Sequence, residues 1–254
     1  LMMHLNWSVK STLALCVLGT AGFAVAQGQA LEPWQQAQKT EVWEPVPEAV
    51  SSPANGVPSD AIVLFDGSDL SEWESVKGGA AEWTVKDGVL TVLPGKGDIK
   101  TKRDFCDVQL HVEWKTPTDV EGMEGQQRNN SGIFFQQKYE IQVLDSYNNP
   151  TYPNGQAGSV YKQTIPLVNA MRPPGQWQEY DILFTAPRFD GEELVSHGYV
   201  TVIHNGVVVQ NHTKILGTTE WIGAPKTIPH GCAPIQLQDH DNFVSFRNIW
   251  IREL

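Results

Sequence analysis

Val108-Gln109-Leu110-His111-Val112-Glu113-Trp114-Lys115 is the stretch that decides the fold. Apolar residues at 108, 110, 112 and 114 alternate with polar ones at 109, 111, 113 and 115. A period of two puts one set on each face of an extended strand, so this is a strand with one buried face. The same text continues on both sides. Upstream, Trp83-Thr84-Val85 and Val89 to Leu93 flank Asp87-Gly88, a hairpin turn. Ala61 to Phe65 ends at another turn dipeptide, Asp66-Gly67. Downstream come Ile133 to Phe135, Tyr139 to Leu144 and Tyr180 to Phe184, then Tyr199 to His204 and Val207 to Gln210 around Asn205-Gly206. Asn-Gly is the strongest short hairpin signal, because both central residues must adopt positive φ. Ile235 to Leu237 and Val244 to Ile251 close the chain. No helical period of useful length interrupts 61–254. Many short strands with regular turns predict an all-β domain, and about 190 residues suit a two-sheet jelly roll.

The other segments read differently. Lys10 precedes the uncharged apolar run Ser11 to Val25, and Ala24-Val25-Ala26 is a small-residue cleavage pattern. This predicts a signal peptide over 1–26, cleavage after Ala26, and a periplasmic or extracellular protein. The run is short for a membrane span, so none is expected in the mature chain. Residues 27–60 carry Pro33, Pro45, Pro47, Pro53 and Pro58, which predicts an arm or linker without regular elements. Trp34 and Trp43 suggest that part of it packs on the domain. The domain itself is placed at 61–254.

The chain has 18 basic and 29 acidic residues, a net charge of −11. A phosphate backbone demands the opposite balance, so nucleic acid is excluded as a partner. Cys106 and Cys232 remain after signal removal. In an oxidising compartment they either pair or stand as two buried thiols.

Two strands carry the residues that point to chemistry. In Tyr139-Glu140-Ile141-Gln142-Val143-Leu144-Asp145, Glu140 and Gln142 share a face while Tyr139, Ile141 and Val143 face the core. Asp145 is one residue out of phase, and a bulge near Leu144 is expected to return it to the Glu140 face. In Ile235-Gln236-Leu237-Gln238-Asp239-His240, positions 236, 238 and 240 share a face. Amides and carboxylates offer donors and acceptors in fixed planes, which suits sugar hydroxyls. A small carbohydrate is therefore the expected partner. Imidazole is the natural acid or base among these side chains, which points to His240. Glu140, Asp145 and His240 are also candidate ligands for a divalent metal, although no tight metal motif is present. Asn130 sits in a polar turn before a strand, and Trp177 either stacks on a sugar ring or fills the core. Arg247 is a candidate to balance a site carboxylate or to stabilise an enolate. No G-x-S-x-G elbow occurs. The spacing of Glu140, Gln142 and Asp145 is similar to the E-x-D-x-x-E strand of laminarinase-type glycosidases, with Gln142 in place of the middle acid.

Taken in order, Leu64-Phe65-Asp66-Gly67 with Trp73, Asp87-Gly88-Val89-Leu90, Asn130-Ser131-Gly132-Ile133, the Tyr139–Asp145 strand, Gly158 with Tyr161, Trp177, Asn205-Gly206, Ile235 to His240 and Phe246-Arg247-Asn248-Ile249 form a specific set. The chain resembles the 3-keto-disaccharide hydrolase family over nearly all of 61–254. It departs at Gly231-Cys232-Ala233-Pro234, where the family often reads Gly-Pro, and at Trp177-Gln178-Glu179, where many members have Trp-Asn. The resemblance implies a concanavalin/laminarinase-like jelly-roll sandwich and an exported enzyme that cleaves 3-keto-glycosides by elimination and hydration. In that scheme His240 is the base, Glu140 or Asp145 the acid or a metal ligand, and Arg247 or a divalent cation stabilises the enolate. Asn130, Gln142, Gln236, Gln238, Trp177 and Tyr161 are then the substrate contacts. A lectin-like sugar-binding module and a laminarinase-type glycosidase are the competing readings.

Overall fold

The computed structural model describes residues 30–54 and 56–254. The expected signal peptide lies outside them. The chain divides into two units, Leu1–Ala49 and Val50–Leu254.

The first unit holds the single α-helix among the described residues, α1 (Pro33–Gln38). This corrects the expectation of an arm without regular elements. Pro33 occupies the first turn, where its missing N–H would be unpaired anyway. The Glu32 amide donates to Gln35 Oε1 at 3.0 Å, closing a capping box. Trp34 and Trp43 are exposed, by 60% and 79%.

The second unit is built of strands. In chain order they are β1 (Ile62–Phe65), β2 (Trp73–Ser75), β3 (Thr84–Lys86), β4 (Val89–Thr91), β5 (Ile99–Thr101), β6 (Val108–Lys115), β7 (Asn130–Phe135) and β8 (Tyr139–Leu144). There follow β9 (Gln178–Thr185), β10 (Arg188–Asp190), β11 (Glu193–Ser196), β12 (Tyr199–His204), β13 (Val207–Lys214), β14 (Gln236–Leu237) and β15 (Ser245–Glu253). One sheet runs β13-β12-β9-β6-β15-β4-β3, with β1 also on β15; the other runs β2-β5-β14-β7-β8. β10 and β11 form a separate hairpin. Two large antiparallel sheets make a jelly-roll sandwich, as the strand pattern predicts. The unit extends ahead of residue 61, because Asp60 accepts from Arg252 Nε and Nη2 at 2.9 and 2.6 Å.

The alternation in β6 works as read. Val108, Leu110, Val112 and Trp114 are fully buried between the sheets, beside Tyr180, Phe184 and Phe246. Ile133, Phe135, Ile141, Val143 and Leu237 meet them from the smaller sheet. Cys106 and Cys232 are joined, with Cα atoms 4.7 Å apart, so the two open alternatives for these residues resolve to a disulfide.

Candidate active site

The register of the smaller sheet assembles the site. On its outer face Gln236 lies beside Phe134 and Phe134 beside Glu140. In the next row Gly132 lies beside Gln142. The Gln238 amide donates to the Gly132 carbonyl at 3.0 Å, extending the row past the end of β14. Gly132 is the opening in this surface. A Cβ there would lie 2.5 Å from Glu140 Oε1 and 3.0 Å from the Phe134 ring. Any larger residue would displace the Glu140 carboxyl.

β8 is an edge strand, yet all six of its residues are buried. The reason is the segment 158–161, which bonds along its free edge. Tyr161 N–H donates to the Glu140 carbonyl at 3.1 Å, and Gln142 N–H to the Ser159 carbonyl at 3.0 Å. The result is a cavity of about 470 Å³. Glu140, Gln142, Asn130, Gln238, His240 and Tyr161 all line it. Those six candidates are thus brought together. Gln126, Gln127, Phe134, Tyr152, Thr219 and Trp221 complete the lining and were not singled out from the sequence. Gln126 and Gln127 belong to a single 3-10 turn and Tyr152, Thr219 and Trp221 to loops, where no hydrophobic period marks a direction; Phe134 was taken only as part of an apolar run.

The electrostatics centre on Glu140. It is 4% exposed, and among the described residues no side chain or amide donates to its carboxyl. Burial, reinforced by the negative charge of Asp98, pushes its pKa up to about 8. Glu140 is therefore protonated at neutral pH and can donate. Asp98 was also missed. It is held by Gln236 Nε2 at 2.6 Å and the Asp239 amide at 2.8 Å, and its own pKa is raised, chiefly by burial. The Gln142 and Gln238 side-chain carbonyls are buried with no donor among the described residues. Such acceptors are costly unless a ligand or solvent hydroxyl serves them. Tyr161 shares a hydrogen bond with Tyr152 at 2.7 Å, and burial raises its pKa.

Four sequence candidates lie outside the cavity lining. Asp145 does not return to the Glu140 face, because β7 and β8 pair from Asn130↔Leu144 to Phe135↔Tyr139 without a bulge. It is fully buried and accepts from Arg128 Nε at 2.8 Å. Arg128→Ala would leave that carboxylate without its counter-charge. We expect a loss of about 3 kcal/mol in urea unfolding at pH 7. Arg247 belongs to the other sheet, where Glu113 accepts from its Nε at 2.6 Å. It balances a carboxylate, but not one in the cavity. Trp177 neither fills the core nor lines the cavity; it lies under Arg247 and Lys115, at 4.1 and 4.7 Å from ring centroid to cation. Gln236 keeps the expected face, but its amide is used by Asp98 and Gln137. The proposed metal set Glu140, Asp145 and His240 is accordingly not assembled. Among the described residues, the one His-carboxylate group with converging ligand atoms is His111, Glu179 and Asp181 on the larger sheet. Both nitrogens of His111 are engaged there, by Asp181 at 2.7 Å and Asn248 at 3.2 Å.

The model of the 3-keto-alpha-glucoside-1,2-lyase-like domain matches residues 60–252. The chain belongs to this family. A crystal structure of a Parabacteroides distasonis protein, provisionally assigned as a glycosyl hydrolase, is 61% identical to this lyase-like domain, with a TM-score of 0.83, over 85% of this chain and 96% of that one. A second protein of that organism, with the same provisional assignment, has 22% identity and a TM-score of 0.56 over 77% of this chain and 94% of its own. That likeness concerns the fold. No protein among those of curated function matches the chain. The lyase-like domain is thus a carbohydrate-active enzyme domain, and its outer-face cavity offers an acid, an imidazole and an amide wall.

Proposed function

We propose that this protein is an exported enzyme that cleaves 3-keto-glycosides by elimination followed by hydration. One observation carries the reading: a buried, protonated Glu140, whose carboxyl accepts no hydrogen bond among the described residues, shares a cavity with His240. A retaining glycosidase needs two carboxyls about 5 Å apart across the glycosidic bond. The paired candidate, Asp145, is bound to Arg128 outside the cavity, which disfavours the laminarinase-type alternative.

A 3-keto group acidifies the proton on C2. His240 takes that proton, and the C–H electrons form the enolate. The Gln238 side-chain N–H groups, which have no partner among the described residues, donate to the developing negative oxygen. Collapse of the enolate breaks the C1–O bond, and Glu140 gives its proton to the departing oxygen. Glu140, now a carboxylate, takes a proton from water as its oxygen bonds to C1, and His240 gives its proton back to C2, so both groups are restored and the net result is hydrolysis. Asn130 and Gln142 hold the remaining hydroxyls. Of the three candidate cation ligands only Glu140 and His240 line the cavity; a divalent cation held there would supply positive charge for the enolate oxygen, and chelation tests that. The Cys106–Cys232 bond supports export, since disulfides persist in oxidising compartments.

The test is NMR of a 3-keto-glucoside mixed with the mature chain in D2O, with and without chelator. Release of the C1 substituent with deuterium at C2 is expected. Release without C2 deuterium would point to direct hydrolysis. Saturable shifts without turnover would make this a sugar-binding module. A pH profile adds a signed check: an acid with a pKa of about 8 in the free protein is lost as pH rises, so kcat/KM should fall about tenfold per unit above that value.

A further inference from the structure

The cavity has two unlike walls. Amides and the Glu140 carboxyl make the inner one, while Trp221 stands at the mouth and is still 74% exposed. Ile222, next to it, is equally exposed. Two large apolar side chains held side by side in water need an explanation, because the loop that presents them is firmly built.

Thr218 N–H donates to the Lys226 carbonyl at 2.9 Å, closing the loop on itself. Glu220 bridges Thr218 Oγ1 at 2.9 Å and Lys226 Nζ at 3.1 Å inside it. Lys162 Nζ donates to the Trp221 carbonyl at 2.6 Å. Thr219 N–H donates to the Lys138 carbonyl at 2.7 Å, and Thr219 Oγ1 accepts from the Glu140 amide at 2.9 Å. The loop is thereby fixed to the backbone of the residue assigned as acid. The acid serves the leaving oxygen, so the loop beside it borders the space of the leaving group.

We propose that Trp221 is the platform for that leaving group, and that the preferred substrates are glycosides of flat aromatic alcohols. This rests on the elimination reading above. The alternative is a second sugar, which would lay a C–H face on the indole but whose hydroxyls would need partners. The loop tip reads Trp221-Ile222-Gly223-Ala224-Pro225 and offers no side-chain acceptor or donor apart from the indole N–H. It matches an aryl ring instead.

The experiment compares phenyl and methyl 3-keto-glucosides of one anomer on the wild type, Trp221→Ala and Trp221→Phe. The ratio of kcat/KM, phenyl over methyl, cancels the intrinsic difference in leaving ability between variants. It should fall about 5- to 10-fold in Trp221→Ala, through KM, and recover in Trp221→Phe. An equal ratio in all three proteins overturns the platform. Should neither glucoside be turned over, the elimination reading fails separately. Titration of the same two compounds then decides the platform: weaker binding of the phenyl compound alone supports it, and equal changes overturn it. The side chain is largely exposed, so the substitutions leave the core intact.

Discussion

Glu140→Gln should abolish cleavage and at the same time make the protein more stable at neutral pH. The first effect follows from the loss of the acid, and a drop of about 10³-fold in kcat is expected. Exchange of the C2 proton should survive, because His240 performs that step, whereas His240→Ala should remove exchange and cleavage together. The stability effect has the opposite sign to most core substitutions. In the unfolded chain Glu140 ionises near 4.5; in the folded protein it ionises near 8. Folding therefore takes up a proton between those values, and stability falls as pH rises through that window. Below the unfolded pKa the carboxyl is neutral in both states and costs nothing. At pH 7 the folded state is disfavoured by about 3 kcal/mol relative to a residue that does not titrate. Glutamine has nearly the same shape and no charge. Denaturant unfolding of the two proteins should diverge by about that amount at pH 7 and converge by pH 4.5. Equal stability at both pH values would mean that Glu140 is ionised in the folded protein, and its assignment as acid would fall.

Replacing Cys106 and Cys232 by serine should be the most damaging change made far from the cavity lining. The bond closes a loop with a sequence separation of 126 residues. Chain entropy alone puts its contribution at about 5 kcal/mol, and removal of native bridges costs about 2–5 kcal/mol. The effect should also reach the site. Ala233 and Phe105 exchange backbone hydrogen bonds at 3.0 and 3.3 Å beside the bridge. Two residues on, Ile235 is bonded to Thr101 through both its carbonyl and its amide. These contacts anchor the entry to β14, and hence Gln238 and His240. A lower melting temperature together with a higher KM, both reproduced by reductant on the wild type, is the expected outcome. An unchanged KM in the folded variant would show that the loop holds its place without the bridge.

The phase of single strands was legible in the amino-acid order. Val108 to Lys115 alternates with period two, and each residue faces as that period dictates. Tyr139 to Val143 alternates in the same way, which sets Glu140 and Gln142 on one face, although every residue of the strand is buried. The ordered set of short motifs identified the family for the same reason: each marks a turn or a strand face that backbone sterics fix locally. Phase within a strand says nothing about which sheet it joins or what covers it. His111, Glu113 and Lys115 on β6 present the same alternating polar text as Glu140 and Gln142 on β8. Loops fold over the outer face of the smaller sheet and make a cavity there, while on the larger sheet the corresponding charges pair among themselves. That is why Arg247 and Trp177 were grouped with the site and lie apart from it. Asp145 was misplaced because a bulge depends on the partner strand, which the sequence of one strand cannot specify. Gln126, Asp98 and Trp221 come from three distant segments, and only the closure of the sandwich and its loops brings them to Glu140. Local backbone chemistry determined the strands and their faces; long-range pairing and loop closure, whose partners are far apart in the chain, decided where the site is.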